Sequence, residues 1–158
     1  MITLLVLVIV LSTLLGCSSR DPEFKVISDD AGKESSLTDW GRSAGMKFPR
    51  TAKVQLAATK TTGWQSGDLY LQVSLAASEV PAFLDGSDLT RPDGGPSKIV
   101  LRDWPQANGA SAPIELTEGS LLTKGSRDSP HRDFSTLRVY LDEPIGRSDV
   151  DVYVMLKD

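Results

Sequence analysis

Four runs of period-two alternation constrain this chain more than any other feature. Leu69, Leu71, Val73 and Leu75 alternate with Tyr70, Gln72 and Ser74, and Val54, Leu56 and Ala58 alternate with Lys53, Gln55, Ala57 and Thr59. Near the end, Leu137, Val139 and Leu141 alternate with Arg138, Tyr140 and Asp142, followed by Val150, Val152, Val154 and Leu156 against Asp151, Tyr153, Met155 and Lys157. Successive strand side chains point to opposite faces, so each run predicts a strand with one buried and one solvated face. Thr61 to Gly67 and Pro144 to Ser148 are the turns that close two antiparallel hairpins. Strands of a parallel sheet buried on both faces read instead as continuous apolar runs.

Between the hairpins, Ser78 is the expected N-cap of a short helix that lays Val80, Phe83 and Leu84 on the sheet, with Pro81 in its first turn and Gly86 just past its last. Asp85 to Pro96 and Gln106 to Pro113 read as loops, while Ile99 to Leu101, Ile114 to Leu116 and Leu121 to Thr123 are weak strands. Upstream, Ser36 to Trp40 predicts a short capped helical turn ended by Gly41 or Gly45. The expected class is α+β: a single antiparallel sheet of about four to six strands with one short helix packed on it. If the middle strands formed a second sheet, the product would be a small β-sandwich.

The amino terminus constrains location. Leu4 to Leu11 is an unbroken apolar run, no charged side chain precedes Arg20, and the single cysteine follows at Leu14-Leu15-Gly16-Cys17. The run turns polar too early for the roughly 20 apolar residues that a spanning helix needs, and has the form of an export signal. Leu14 to Cys17 resembles the lipobox of bacterial lipoproteins. The resemblance implies cleavage of residues 1–16, attachment of diacylglycerol to Cys17 and acylation, commonly palmitate, of the new amino group. It also implies a place in the cell envelope, on the periplasmic face of the outer membrane if the host has two membranes, because Ser18 rather than Asp follows the cysteine. The expected n-region cation is missing, so a start upstream of Met1 is an open reading. Residues 17–36, polar and without period, read as a lipidated flexible tether, with Phe24 to Ile27 as an alternative edge strand, leaving 37–158 as one domain.

Phe48-Pro49 through Phe83-Leu84 resembles an arrangement found in many small bacterial lipoproteins of uncharacterised function, and implies no activity. The chain carries 17 basic and 21 acidic side chains, net -4, with the signs interleaved. Binding a phosphate backbone needs a clustered basic face, so nucleic acid is not an expected partner. A lipidated Cys17 leaves no thiol for a disulfide, a cysteine zinc site or a cysteine nucleophile.

The remaining candidate chemistry is thin. His131, the one histidine, stands between Asp128 and Asp133 with Ser129 and Ser135 nearby, but Gly-x-Ser-x-Gly is absent, and a solvated loop residue is the expected role. Asp85, Asp88 and Asp93 do not follow calcium-loop spacing. No cofactor and no metal is expected. Trp64 and Trp104, with Tyr70, are the candidate partner-binding residues, either as exposed stacking rings or as caps on the ends of the core. The reading is a non-enzymatic, membrane-anchored module that binds or scaffolds an envelope protein or peptidoglycan. An inhibitor or immunity-type protein, or a small hydrolase using His131, is the alternative.

Overall fold

The computed structural model describes residues 24–61, 67–124 and 136–157. Strands β1 (Lys25–Val26), β2 (Lys53–Thr61), β3 (Gly67–Ala76), β4 (Leu89–Thr90), β5 (Ser97–Pro105), β6 (Ser111–Lys124), β7 (Thr136–Asp142) and β8 (Asp149–Lys157) form one sheet, every pair of which is antiparallel. Its order is β1-β2-β3-β8-β7-β6-β4, with β5 also paired to β6. Two helices, α1 (Asp30–Ser43) and α2 (Val80–Gly86), complete the described structure. The described residues are therefore richer in strand than the predicted four to six, and hold two α-helices rather than one.

Both predicted hairpins are present, and they meet at the centre where β3 pairs with β8. The face carrying Leu71, Val73, Leu75, Val139, Leu141, Val152 and Val154 packs under the helices, with Val80 and Phe83 of α2 buried against it and Leu37 and Trp40 of α1 partly buried. This is the buried face the alternation predicts.

The opposite face is not left to solvent. Tyr70, Tyr140 and Tyr153 are buried there with Phe24, Leu56, Leu101, Trp104 and Leu116. The β5–β6 ribbon folds back over the sheet to cover it. Trp104 meets Tyr70 of β3 at 5.6 Å and Tyr153 of β8 at 5.2 Å, both edge to face, and Tyr70 meets Phe24 likewise at 5.2 Å. The ribbon tip reaches the far edge, where the Phe24 N–H donates to the Gly109 carbonyl at 2.9 Å. The middle strands thus supply a second layer, as a sandwich would, while staying hydrogen-bonded into the first sheet.

Three irregularities make this possible. A register shift between Leu101 and Trp104 leaves Arg102 and Asp103 both exposed and brings Leu101 and Trp104 onto one face, although they are three residues apart. A second shift, between Ser97 and Ile99 of the same pair, lies at Gly119 of β6, where a Cβ would sit 2.8 Å from the Leu116 Cβ, so only glycine fits. A third, between Val54 and Leu56, resets the alternation of β2: Val54 packs toward the helices while Leu56 and Ala58 face the aromatic layer. The expected common face for Val54, Leu56 and Ala58 is corrected accordingly.

Other boundaries differ from expectation. The predicted tether to Ser36 is already folded from Phe24, which is 1% exposed, and the edge-strand alternative for this stretch is the one observed, as β1. Helix α1 starts six residues before the predicted turn, because the Asp29 side chain accepts from Gly32 N–H at 2.7 Å. Ser36, expected as the cap, lies inside the helix and donates to the Gly32 carbonyl. Helix α2 follows a 3-10 turn at Ala77–Glu79 and has no side-chain cap, so Ser78 does not cap it either. The loop at 85–96 contains β4, and the two weak strands around Gly119 are one continuous strand of 14 residues.

Candidate functional site

Helix α1 ends in paired bonds from Gly45 N–H to the Arg42 carbonyl and from Met46 N–H to the Gly41 carbonyl, with Gly45 at φ 64. That reversal sends the chain back alongside the helix through residues 47–52 into β2. Three contacts fix the returning segment. The Lys47 N–H donates to Ser87 Oγ, Thr51 Oγ1 donates to Glu79 Oε1, and the Phe48 ring stacks on Phe83 at 5.0 Å.

Between α1, this segment and the start of β2 lies an open groove of about 1320 Å³. Leu37, Phe48, Ala52 and Val54 line it while packing on the main core, and each remains partly exposed. Its charged lining is Lys33, Arg42, Lys47, Arg50 and Lys53 against Asp30 and Glu34, five cations to two carboxylates. A local excess of three positive charges thus sits on a chain of net charge -4. Lys33 lies 4.0 Å from Asp30 and Arg42 lies 3.8 Å from Asp39. Lys47, Arg50 and Lys53 have no ion-pair partner among the described residues.

The strand bordering the groove is only partly covered. β1 pairs with β2 at Ala58 and Thr59, and Ile27 N–H adds one bond to the Ala57 carbonyl. There the chain turns away into the Asp29 cap, so from Lys53 to Leu56 the outer edge of β2 has no strand beside it among the described residues.

A second, smaller pocket of about 480 Å³ opens on the other face, lined by Gln55, Gln72, Ser74, Arg147 and Asp151 among others. Asp151 stands directly opposite Asp142 in the β7–β8 pair, and Asp142 accepts from Glu118 N–H at 3.0 Å. Burial, and then Asp142, push the Asp151 carboxyl above its ordinary value, with Arg147 pulling the other way. Burial, followed by Asp151 and Asp142, also raises the Tyr153 phenol, whose oxygen accepts from Gln72 Nε2 at 3.4 Å. Among the described residues no three His, Cys, Asp or Glu side chains converge as metal ligands would.

The residues singled out in the sequence do not form this site. Trp104 is 0% exposed and Tyr70 3%, so neither presents a ring to a partner. Both are corrected to core residues, held there by the folded-back ribbon. Trp64, His131 and Cys17 lie outside the described residues. The groove was missed because its walls, although all within residues 30–54, meet only when α1 packs against the returning chain. Lys47, Arg50 and Lys53 fall within seven residues and gave a faint signal, but Lys33 and Arg42 join them only through the packing of α1. No protein-family model, curated protein or solved structure matches the chain.

Proposed function

We propose that the protein is a lipid-anchored binding module of a bacterial cell envelope, attached through Cys17 and binding another envelope component in the groove between α1 and β2, without catalysis. The groove carries this reading: a partly exposed apolar floor under a cationic rim is a surface built for contact, on a chain whose overall charge has the opposite sign. The lipobox-like Leu14 to Cys17 supports the anchor. Two or three acyl chains make such attachment effectively stable.

The early start of the fold adds a geometric consequence. Only residues 18–23 separate Cys17 from the buried Phe24. Even fully extended, that link reaches about 25 Å. The domain is then kept within reach of the bilayer surface rather than held far above it.

Intact mass of the protein from host membranes, beside a Cys17→Ala variant, tests the anchor. A mature chain beginning at an acylated Cys17, lost from membranes in the variant, is the expected result. Photo-crosslinking from position 50 then tests the binding face, with an envelope component as the expected adduct. A cytosolic chain of unmodified mass that retains Met1 overturns the anchor, and an absence of adducts specific to position 50 overturns the binding face.

A further inference from the structure

We propose that the groove takes an extended, acidic segment of a partner protein, which pairs as an added strand along the open edge of β2 from Lys53 to Leu56. This rests on the reading of the groove as the binding face, and names the chemistry of what it binds. An unpaired strand edge offers a row of N–H and C=O groups to another chain, and a peptide that adds there gains main-chain bonds while its alternate side chains are read by the flanking surface. The four open residues, which include the register shift between Val54 and Leu56, offer at most about 13 Å of edge.

The flanking surface sets the sequence of the guest. One side of an added strand would face the apolar floor of Leu37, Phe48 and Val54, and its other residues would meet Lys47, Arg50 and Lys53, which have no ion-pair partner among the described residues. Alternating apolar and acidic residues fit both. A basic strand is repelled, and a neutral one leaves the cations without countercharge, so the lysine on the edge selects as well as attracts.

The other long open edge carries no such instruction. Among the described residues β5 pairs only with β6, and its exposed charges cancel locally, Lys98 with Glu115 at 2.8 Å and Arg102 beside Asp103. An anionic bilayer would also be drawn to the rim of the groove, but it has no backbone to pair with β2.

The test uses the full chain in neutral detergent and a fluorescein-labelled peptide of alternating Asp and Val. Binding is expected to weaken about tenfold or more when Lys47→Glu and Arg50→Glu are combined, to weaken with added salt, and to be unchanged by Lys98→Glu. Matching melting curves for all variants exclude misfolding. Two further peptides, N-methylated at either the Asp or the Val amides, separate strand addition from simple charge attraction: only one set of amides faces the edge, so only one peptide loses affinity. Equal binding of both methylated forms, or insensitivity to the charge reversals, overturns the proposal. So does binding confined to phosphatidylglycerol vesicles, which would assign the groove to the membrane. A crosslink from position 50 to an envelope component in a chain that ignores the acidic peptide would remove this inference and leave the binding-module reading in place.

Discussion

Trp104 shows how burial of one residue reorganises the expected solvent face of a sheet. Its ring joins the ribbon to β3 and β8, and its Nε1 is buried with no hydrogen-bond partner among the described residues. Trp104→Ala is therefore expected to cost about 3–5 kcal/mol, whereas Trp104→Phe, which keeps an aromatic ring and discards the orphaned N–H, should cost under about 2 kcal/mol; urea unfolding distinguishes them. Asp151 carries the opposite lesson, a charge that burial makes unwelcome. A carboxyl whose pKa is higher folded than unfolded keeps its proton longer in the native state. Stability then falls as pH rises from near the ordinary value of 3.8 through the raised one, and stays lower above it. Asp151→Asn should melt roughly 1–3 °C above the parent at pH 7, a small gain because the group is partly solvated, and the gain should vanish in melts below about pH 3.5.

At the scale of elements, the two helices are tied to the sheet by one side chain that no helical pattern reveals. Lys124, at the end of β6, donates from Nζ to the Gly45 carbonyl at 3.0 Å and to the Ser87 carbonyl at 2.8 Å, the residues that follow α1 and α2. A cation there meets carbonyls near the negative ends of both helices. Lys124→Met keeps the apolar stem and removes both bonds, and should cost about 2 kcal/mol in chemical denaturation. Helix α1 itself was hard to see, since it holds three serines and a threonine and few apolar residues beyond Ala31, Leu37 and Trp40. Its start signal, Asp29 before Asp30, was present but belonged to a stretch whose polarity reads as a tether. β7 and β8 were legible because nothing breaks their alternation. β5 and β6 were not, because the shift after Leu101 and the close approach at Gly119 break theirs.

At the scale of the whole molecule, Phe24 closes the structure. Its ring packs on Tyr70 and its N–H reaches the ribbon tip at Gly109, joining the first described residue to a hairpin from the opposite end of the sheet. Phe24→Ala should cost about 3–4 kcal/mol by denaturant midpoint, where a residue in a solvated tether would cost nothing measurable. The sequence alone determined the hairpins β2–β3 and β7–β8, the burial of the leucine and valine face of β3, β7 and β8, and the placement of α2, because period-two and short helical patterns are local. It also supplied the lipobox-like segment on which the anchor proposal rests. Only the tertiary structure decided that the second face is buried. Tyrosine and methionine alternate with aliphatic residues whether they meet water or a folded-back ribbon, so the pattern is the same in both cases. It also decided the groove, since a cavity belongs to neither of its walls: the cations of α1 and those of residues 47–53 become one charged rim only when the helix packs on the sheet face beside β2.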